Sequence, residues 1–262
     1  VKKAILFVEE KQPELELWTG KRLGPKEAVK TFTIDESHSI NKFNTMLPDL
    51  LQGNSNLYIS AYDLNSVVQN VYKATNELWK SRKKISQIPR TIIHLDVITE
   101  KLRLIKEDIE VEKIKEAVKL TTIGHKVAMS KAQAGLNERD IHGIMDYTFK
   151  MNKGDGPAYG MIIAGGDNAN ILHYIENNKT LTDGELLLID AGAEYELYAS
   201  DVTRTFPVNG KFSKTQAKVY NEVLKAQEKA INASRPGTTL EEIHEIASNS
   251  LIQSLIDLGV LN

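Results

Sequence analysis

The sequence has 262 residues, of which 41% are hydrophobic and 26% are charged, and its formal net charge is −2 at pH 7. This composition is ordinary for a globular protein with a sizeable core, its nearly balanced charge gives no reason to expect nucleic acid, and the absence of cysteine excludes disulfides, thiol catalysis and zinc–thiolate sites. Since no apolar run approaches membrane-spanning length and no signal peptide opens the chain, we expect a cytoplasmic protein that does not bind a membrane.

The first 98 residues alternate predicted strands with predicted helices. Strands are predicted at residues 4–8, 15–18, 57–61 and 91–97, and helices at residues 37–51 and 64–82. Such alternation is typical of an α/β unit. His38 and His94 are isolated within it and are interpreted as structural residues. We therefore predict one domain over residues 1–98 and a second over residues 99–262.

A long amphipathic helix is predicted over residues 107–132, where the second domain begins. One face of this helix carries residues at steps of three and four, namely Ala117, Val118, Thr121, His125 and Ala128. A histidine on an apolar face is more often a hydrogen-bonded packing residue than a ligand, and we interpret His125 in that way.

An internal repeat follows this helix. The residues GLNERDIH at 135–142 align without gaps on GTTLEEIH at 237–244, an offset of 102 residues. The offset also places the helix-capping pair of the first copy, Asn137 and Asp140, on Thr239 and Glu242. Strand sequence follows the first copy from about residue 161, so the matching strand of the second copy would begin near residue 263, just beyond the chain.

Two acidic residues stand out at the end of a strongly apolar strand. The run LLLI at residues 186–189 predicts a strand buried on both faces, and Asp190 ends it. The chain then returns through a second predicted strand that begins at Asp201. If the hairpin turns between Tyr195 and Glu196, Asp190 and Asp201 lie opposite each other on one face, with Cβ atoms about 4.5–5.5 Å apart. Tyr-Glu is not a strong turn sequence, so this register is inferred from the pattern alone.

Two carboxylates so close together repel each other unless a cation or a proton lies between them. Two bridging divalent metals are one solution, since oxygen ligands suit Mn²⁺, Mg²⁺ or Zn²⁺. The alternatives are acids solvated at a turn or a sheet edge, or a pair that shares one proton as in aspartic proteases. The last fits poorly, because Ala191 stands where those enzymes need a hydroxyl.

His173, in the apolar sequence ILHYI, is a further candidate site residue. A histidine between apolar neighbours is usually a core residue, but the acid pair downstream favours a role in a site. Thr203 shares the predicted face of Asp201. It is a candidate to contact and orient the two acids without itself binding metal. The nearby pair Gly165-Gly166 lacks the Lys-Ser/Thr of a phosphate loop, and no Gly-x-Ser-x-Gly sequence supports a hydrolase of the α/β class.

Several of these segments together resemble the proline-specific aminopeptidases of the pita-bread metallopeptidase family. They are ILHY at 171–174, IDAG at 189–192 and ASDVTRTFPVNGKFS at 199–213, with WTGKRLGP at 18–25 and RLIKEDIEVEKIKEA at 103–117 upstream. The resemblance covers nearly the whole chain. It implies an α/β (α+β) fold, with a partial creatinase-like amino-terminal domain followed by the first half of a pseudo-twofold pita-bread domain.

The resemblance also implies an activity and its residues. The five metal ligands of the family run Asp, Asp, His, Glu, Glu; Asp190 and Asp201 match the first two, and His173 matches a histidine that contacts substrate and stabilises the tetrahedral intermediate. Two divalent ions, expected to be Mn²⁺, would activate water to release the first residue from peptides with proline at position two. We expect these peptides as partners, and a homo-oligomer.

The sequence departs from the family after Gly237, where nothing supplies the later His, Glu and Glu ligands. Together with the first residue, Val1 instead of Met, this predicts a fragment that is inactive alone. Three alternatives remain: a metal-free creatinase-type hydrolase, a homologue that only binds other proteins, and a prolidase specific for dipeptides. Each would share the fold, but the first two would not be expected to keep both acids and His173.

Overall fold

The computed structural model describes residues 3–60, 67–80 and 88–261, and the chain forms two compact units, Val1–Lys106 and Glu107–Asn262. Each unit has its own buried hydrophobic cluster. Within the described residues, no helix combines the length and the apolar character that crossing a membrane would need. The mixed α/β class expected from the sequence is confirmed in both units.

The first unit consists of short parallel strand pairs with helices between them. Its elements are β1 (Ile5–Val8), α1 (Pro13–Thr19), α2 (Gly24–Thr31), β2 (Glu36–Ser39), α3 (Phe43–Leu51), β3 (Asn56–Ile59), α4 (Val67–Lys80), β4 (Thr91–His94) and α5 (Asp96–Leu104). Strand β1 pairs in parallel with β2, and β3 with β4. Helices α3 and α4 supply the buried cluster beneath the second pair. This arrangement is the α/β unit that the alternating pattern predicts.

Two details of the first unit differ from the sequence prediction. Residues 15–18 are helical, because Pro13 begins α1 and acidic side chains follow in its first turn. Residues 37–39 form part of β2, so the helix predicted from residue 37 begins only at Phe43. Parts of the predicted segments 57–61 and 64–82 lie outside the described residues.

The second unit is built from two helix pairs and two small antiparallel sheets. Its elements are α6 (Asp108–Lys131), α7 (Glu138–Met151), β5 (Gly156–Pro157), β6 (Ile162–Gly165), β7 (Leu186–Asp190), β8 (Ala193–Tyr195), β9 (Tyr198–Ala199), β10 (Thr203–Pro207), α8 (Lys214–Ala233) and α9 (Leu240–Asp257). One sheet has the order β10-β7-β6 and the other β5-β8-β9. Alternate residues of β7, Leu187 and Ile189, are fully buried in the cluster that α6 and α7 complete.

The buried face of helix α6 differs from the predicted one, because it also includes Leu120 and Gly124 and leaves out Val118. Ala117, Thr121, His125 and Ala128 are buried, whereas the side chain of Val118 is 43% exposed. Position 118 lies about 100° around the helix from position 117, which carries it off the buried row. The prediction is therefore wrong for Val118 and right for the other four residues.

The internal repeat is visible in the helix pairs. Helices α6 and α8 end, and α7 and α9 begin, at positions 102 residues apart. Asn137 and Asp140 form a reciprocal capping box at the start of α7, and Thr239 and Glu242 form the same box at the start of α9. Because both caps and boundaries coincide, the gapless alignment of the two segments describes two copies of one structural unit.

Candidate active site

The register of the hairpin that carries the two acids differs by two positions from the predicted one. Asp190 lies opposite Thr203, and Tyr195 lies opposite Tyr198. The turn therefore consists of Glu196 and Leu197, with φ of 47° and 70°, and not of the predicted Tyr195–Glu196 junction. A shift of two positions leaves every side chain on its predicted face, because side chains alternate with a period of two along a strand.

Asp190 and Asp201 converge on a single atom, the hydroxyl oxygen of Tyr159. This hydroxyl lies 2.6 Å from Oδ1 of Asp190 and 2.9 Å from Oδ1 of Asp201. Burial raises the pKa of Tyr159, and the hydrogen bonds to the two carboxylates raise it further, so the phenol stays protonated. The prediction that the two acids share one face of the hairpin is therefore confirmed, whereas the prediction that they lie directly opposite each other is wrong.

Tyr159 was missed by the reasoning from the sequence. It stands in the connection between β5 and β6, and its only signal was a single tyrosine in the segment PAYG. A phenol carries one proton, which can be donated fully to only one carboxylate at a time. Among the described residues, neither Asp190 nor Asp201 forms an ion pair with a lysine, arginine or histidine. One shared proton is therefore the main compensation that this part of the structure offers to two carboxylates.

Gly192 allows the strands to approach between the two acids. A Cβ atom at this position would lie 1.6 Å from the backbone oxygen of Ser200, which no side chain tolerates. The hairpin is then fixed to helix α6, because Thr121 accepts a hydrogen bond from the backbone of Ala193 and Ser200 donates one to the carbonyl of Ala117. The hairpin that carries the two acids is thus held in position by buried polar contacts with helix α6.

His125 is a packing residue, as predicted. Its ring is buried, and Nε2 lies 3.2 Å from the carbonyl oxygen of Ala191. Burial lowers the pKa of His125, so the ring is neutral and donates its Nε2 proton to that carbonyl. This contact supports the backbone beside Asp190 without placing the imidazole among the acids.

His173 lies in an exposed turn after the short helical segment Gly166–Asn170. Its neighbour Leu172 is 90% exposed and Ile175 is 78% exposed, whereas Tyr174 is buried at 4%. Because the side chain of His173 is exposed, the alternative that it is a core histidine is wrong. No hydrogen bond of the described residues joins its ring to Asp190 or Asp201. Thr203, the candidate supporting residue, lies opposite Asp190 on the neighbouring strand.

The acid pair fits part of a metal centre. Converging carboxylate oxygens are the ligands that hard divalent cations prefer, and a cation between them would remove their repulsion. In the described parts of the chain, however, no group of three or more histidine, aspartate and glutamate side chains is arranged to hold a metal ion. Asp190 and Asp201 could therefore hold metal only together with further ligands.

Comparison with known proteins identifies relatives of both units. The model of metallopeptidase family M24 matches residues 112–259, and the model of the aminopeptidase P amino-terminal domain matches residues 1–58. The Xaa-Pro aminopeptidase of Haemophilus influenzae is 37% identical over 265 residues, covering 100% of this chain and 58% of its own length. The Xaa-Pro aminopeptidase of Escherichia coli is 33% identical, with 98% and 58% coverage. The chain thus spans less than two thirds of the length of these relatives.

Solved structures of aminopeptidase P enzymes are also similar to this chain. Aminopeptidase PepP of Pseudomonas aeruginosa superposes with a TM-score of 0.95 at 33% identity, covering 100% of this chain and 60% of that one. Zinc-substituted aminopeptidase P of E. coli in complex with product gives a TM-score of 0.95 at 32% identity, with 99% and 59% coverage. Both units of the present fold therefore have counterparts in these enzymes.

Proposed function

Because the chain belongs to metallopeptidase family M24, we propose that the whole protein, the natural chain that contains these 262 residues, is an Xaa-Pro aminopeptidase. It releases the first residue from peptides with proline at position two. The observation that carries this proposal is that the carboxylates of Asp190 and Asp201 converge on one atom, the hydroxyl oxygen of Tyr159. All three residues lie in the part of the chain that matches the family model.

Asp190 and Asp201 are proposed as two ligands of a centre for two divalent metals. When bound, the metals supply positive charge that lowers the pKa of water and polarises the peptide carbonyl. The two carboxylates hold that charge in place and offset it. The remaining ligands, a histidine and two glutamates by the resemblance, are proposed to come from the second half of a pita-bread domain. Manganese is proposed as the metal, because hard oxygen ligands accept it readily.

Tyr159 is proposed to orient the two carboxylates. Its hydroxyl oxygen lies 2.6 Å from Oδ1 of Asp190 and 2.9 Å from Oδ1 of Asp201, within hydrogen-bonding distance of both carboxylates. A hydrogen bond of this kind fixes the rotation of a ligating carboxylate and thereby its free lone pairs. Tyr159 would thus leave the other lone pairs of the two carboxylates available to bind metal.

His173 is proposed to act on the substrate and not on the metals. Its exposed ring, in the turn after Gly166–Asn170, is free of the acid pair within the described residues. A hydrogen bond donated by this ring to the carbonyl oxygen under attack becomes stronger as negative charge develops there, which lowers the barrier. Donation of a hydrogen bond to that oxygen is therefore the role assigned to His173.

The remaining parts of the proposal rest on the resemblance and the composition. Substrate peptides are the partners, and the assembly is a homo-oligomer. A cytoplasmic location rests on the cysteine-free composition, which fits a reducing compartment. The residues 99–262 are proposed as the first half of the catalytic domain, following a creatinase-like domain at 1–98.

The test compares peptides that differ only at position two. The purified whole protein is incubated with manganese and a tripeptide that carries proline there, and with a matched tripeptide that carries alanine. We expect release of the first residue from the proline peptide alone, and its loss after chelation of the metal. Equal rates for both peptides, or activity that survives chelation, would contradict the proposal. Faster cleavage of an Xaa-Pro dipeptide than of the tripeptide would identify a prolidase instead.

A further inference from the structure

Glu138, the first residue of helix α7, is a fully buried carboxylate at 0% exposure. Each of its oxygens accepts two hydrogen bonds. Oε1 accepts from the backbone of Gly165 at 2.8 Å and from Nδ2 of Asn168 at 3.0 Å; Oε2 accepts from the hydroxyl of Tyr174 at 2.7 Å and from the backbone of Lys179 at 2.9 Å. All four donors belong to one segment, residues 165–179, and none lies in α7.

These contacts fix both ends of the segment that carries His173. Gly165 and Asn168 precede the histidine, and Tyr174 and Lys179 follow it. The backbone of Glu138 adds a fifth contact, since its N–H donates to the carbonyl of Lys179 at 2.9 Å. The turn with His173 is exposed, but its immediate neighbour in sequence is bound to a buried carboxylate. The position of the ring therefore depends on Glu138 through the backbone.

The second copy of the repeat shows that the helix itself does not need this glutamate. The position 102 residues after Glu138 is occupied by Leu240, which is 86% exposed. Helix α9 nevertheless begins there with a complete capping box, formed by Thr239 and Glu242. In the first copy the cap is equally complete without the side chain of Glu138. The buried carboxylate thus serves the segment 165–179 and not the start of α7.

The charge of Glu138 is required by its donors. Burial raises the pKa of the carboxyl, and the four hydrogen bonds lower it, so that the pKa lies below its ordinary value. Two of the donors are backbone N–H groups, one on each oxygen, and these cannot rotate away. A neutral amide could satisfy only one of them, because its NH₂ end would face the other.

We propose that Glu138 is a positioning residue for His173: its buried carboxylate holds the segment 165–179 so that the imidazole meets the carbonyl oxygen of the substrate. This inference rests on the proposed function, in which His173 donates a hydrogen bond to that oxygen. Glu138 itself touches neither substrate nor metal. It acts by fixing the backbone on both sides of the histidine.

A double-mutant cycle in the whole protein tests the proposal. The variants are Glu138→Gln, His173→Ala and the two combined, measured on a tripeptide with proline at position two. A displacement of about 1 Å in a reacting group can cost roughly 10²-fold in rate. We expect kcat of Glu138→Gln to fall by about that factor, with KM and metal content near normal. In the His173→Ala background the same substitution should change kcat little, because the group that it positions is gone.

Two further variants serve as controls. Asp140→Asn removes a carboxylate from the same helix, two residues away, which accepts a hydrogen bond from the backbone of Asn137 and has no contact with the segment 165–179 among the hydrogen bonds of the described residues; kcat should stay unchanged. Tyr174→Phe removes one of the four hydrogen bonds to Glu138 and should lower kcat in the same direction but less. If Glu138→Gln does not fold, Tyr174→Phe combined with His173→Ala completes the cycle.

The outcomes separate this inference from the proposed function. Normal kcat in Glu138→Gln, or losses that multiply in the double variant, would overturn the positioning role while leaving the aminopeptidase intact. Normal kcat in His173→Ala would overturn the substrate role of the histidine, and the positioning role with it. An enzyme without any Xaa-Pro activity in wild-type form would refute the proposed function itself.

Discussion

At the scale of single residues, the candidate site contains two negative charges that the other described residues compensate only in part. The two carboxylates of Asp190 and Asp201 share one phenol proton from Tyr159, and within the described chain no cationic side chain pairs with them. Buried glutamate Glu138 is the contrast, because four donors compensate its charge fully. A buried acid whose charge is fully compensated by hydrogen bonds serves the structure, whereas a pair of acids with too few donors favours the binding of a cation.

The role of His173 can be separated from that of the acids by one substitution. In the whole protein, His173→Ala should leave metal content near normal, because the ring is not a ligand. Its kcat should fall by about 10²–10³, or roughly 2.7–4 kcal/mol, with little change in KM, since the hydrogen bond forms mainly in the transition state. Metal analysis beside kinetics decides the matter: loss of metal would make His173 a ligand, and normal turnover would leave it without a catalytic role.

Glu138 should make stability depend on pH. Its pKa is below the ordinary value in the folded chain, so its stabilising contribution is present above the unfolded pKa, about 4.3, and is lost as the pH falls through the folded pKa. The titratable groups facing it are Tyr174 and Lys179, whose ammonium pairs with Glu185. We expect Glu138→Gln to cost about 1–3 kcal/mol near pH 7.

The pH series provides the check on this expectation. Denaturant unfolding of the wild type and of Glu138→Gln should give free energies whose difference shrinks below about pH 4.3, where the Glu138 carboxyl of the unfolded chain takes up a proton while that of the folded chain is still ionised. A difference that stays constant down to acid pH would show that the ionised carboxylate is not what stabilises this region.

At the scale of elements, the hairpin β7–β10 shows what can be read from residue types. The apolar run of Leu186–Asp190 and the acids at its end specified the strands and their shared face. The register could not be predicted, because it depends on Glu196 and Leu197 adopting positive φ, a conformation that Asn-Gly would have indicated. Tyr159 was equally out of reach, since the connection between β5 and β6 brings it to the acids without any local signal.

The strain in this turn is measurable. Leu197 adopts φ of 70° while its side chain is 87% exposed, so Leu197→Gly relieves the backbone and removes almost no packing. We expect the free energy of unfolding to rise by roughly 1 kcal/mol, net of the entropy that glycine costs. The matched control is Leu172→Gly, which removes a 90% exposed leucine at a position without positive φ and should not stabilise. Equal effects of the two substitutions would contradict strain at Leu197.

The repeat was the most predictive pattern at this scale. The offset of 102 residues gave the caps and boundaries of both helix pairs, because capping chemistry is local and specific. Helix α1 was missed although its signals are also local: Pro13 and the acids that follow it begin a helix, while the alternating leucines suggested a strand. In so short a segment, the residues that start a helix therefore outweigh an alternating apolar pattern.

At the scale of the whole molecule, the chain contains two members of an expected set of five metal ligands. Among the described residues no cluster of three potential ligands exists. The 262 residues alone should therefore bind manganese weakly and cleave Xaa-Pro peptides negligibly, whereas we expect the whole protein to bind the metal and to cleave these peptides. Equilibrium dialysis and a peptide-release assay on both chains provide the comparison. Robust manganese-dependent release by the shorter chain would mean that other side chains, such as those of a second subunit, complete the site.

We propose above that Asp190 and Asp201 hold catalytic metal. In the whole protein, Asp190→Ala and Asp201→Ala are compared with Asp183→Ala, which removes an exposed acid at the turn before β7. The single decisive measurement is the metal content of each purified variant, read together with release of the first residue from a tripeptide with proline at position two. We expect both site variants to lose metal and activity together, while Asp183→Ala keeps both. Full metal content in either site variant would contradict the proposal.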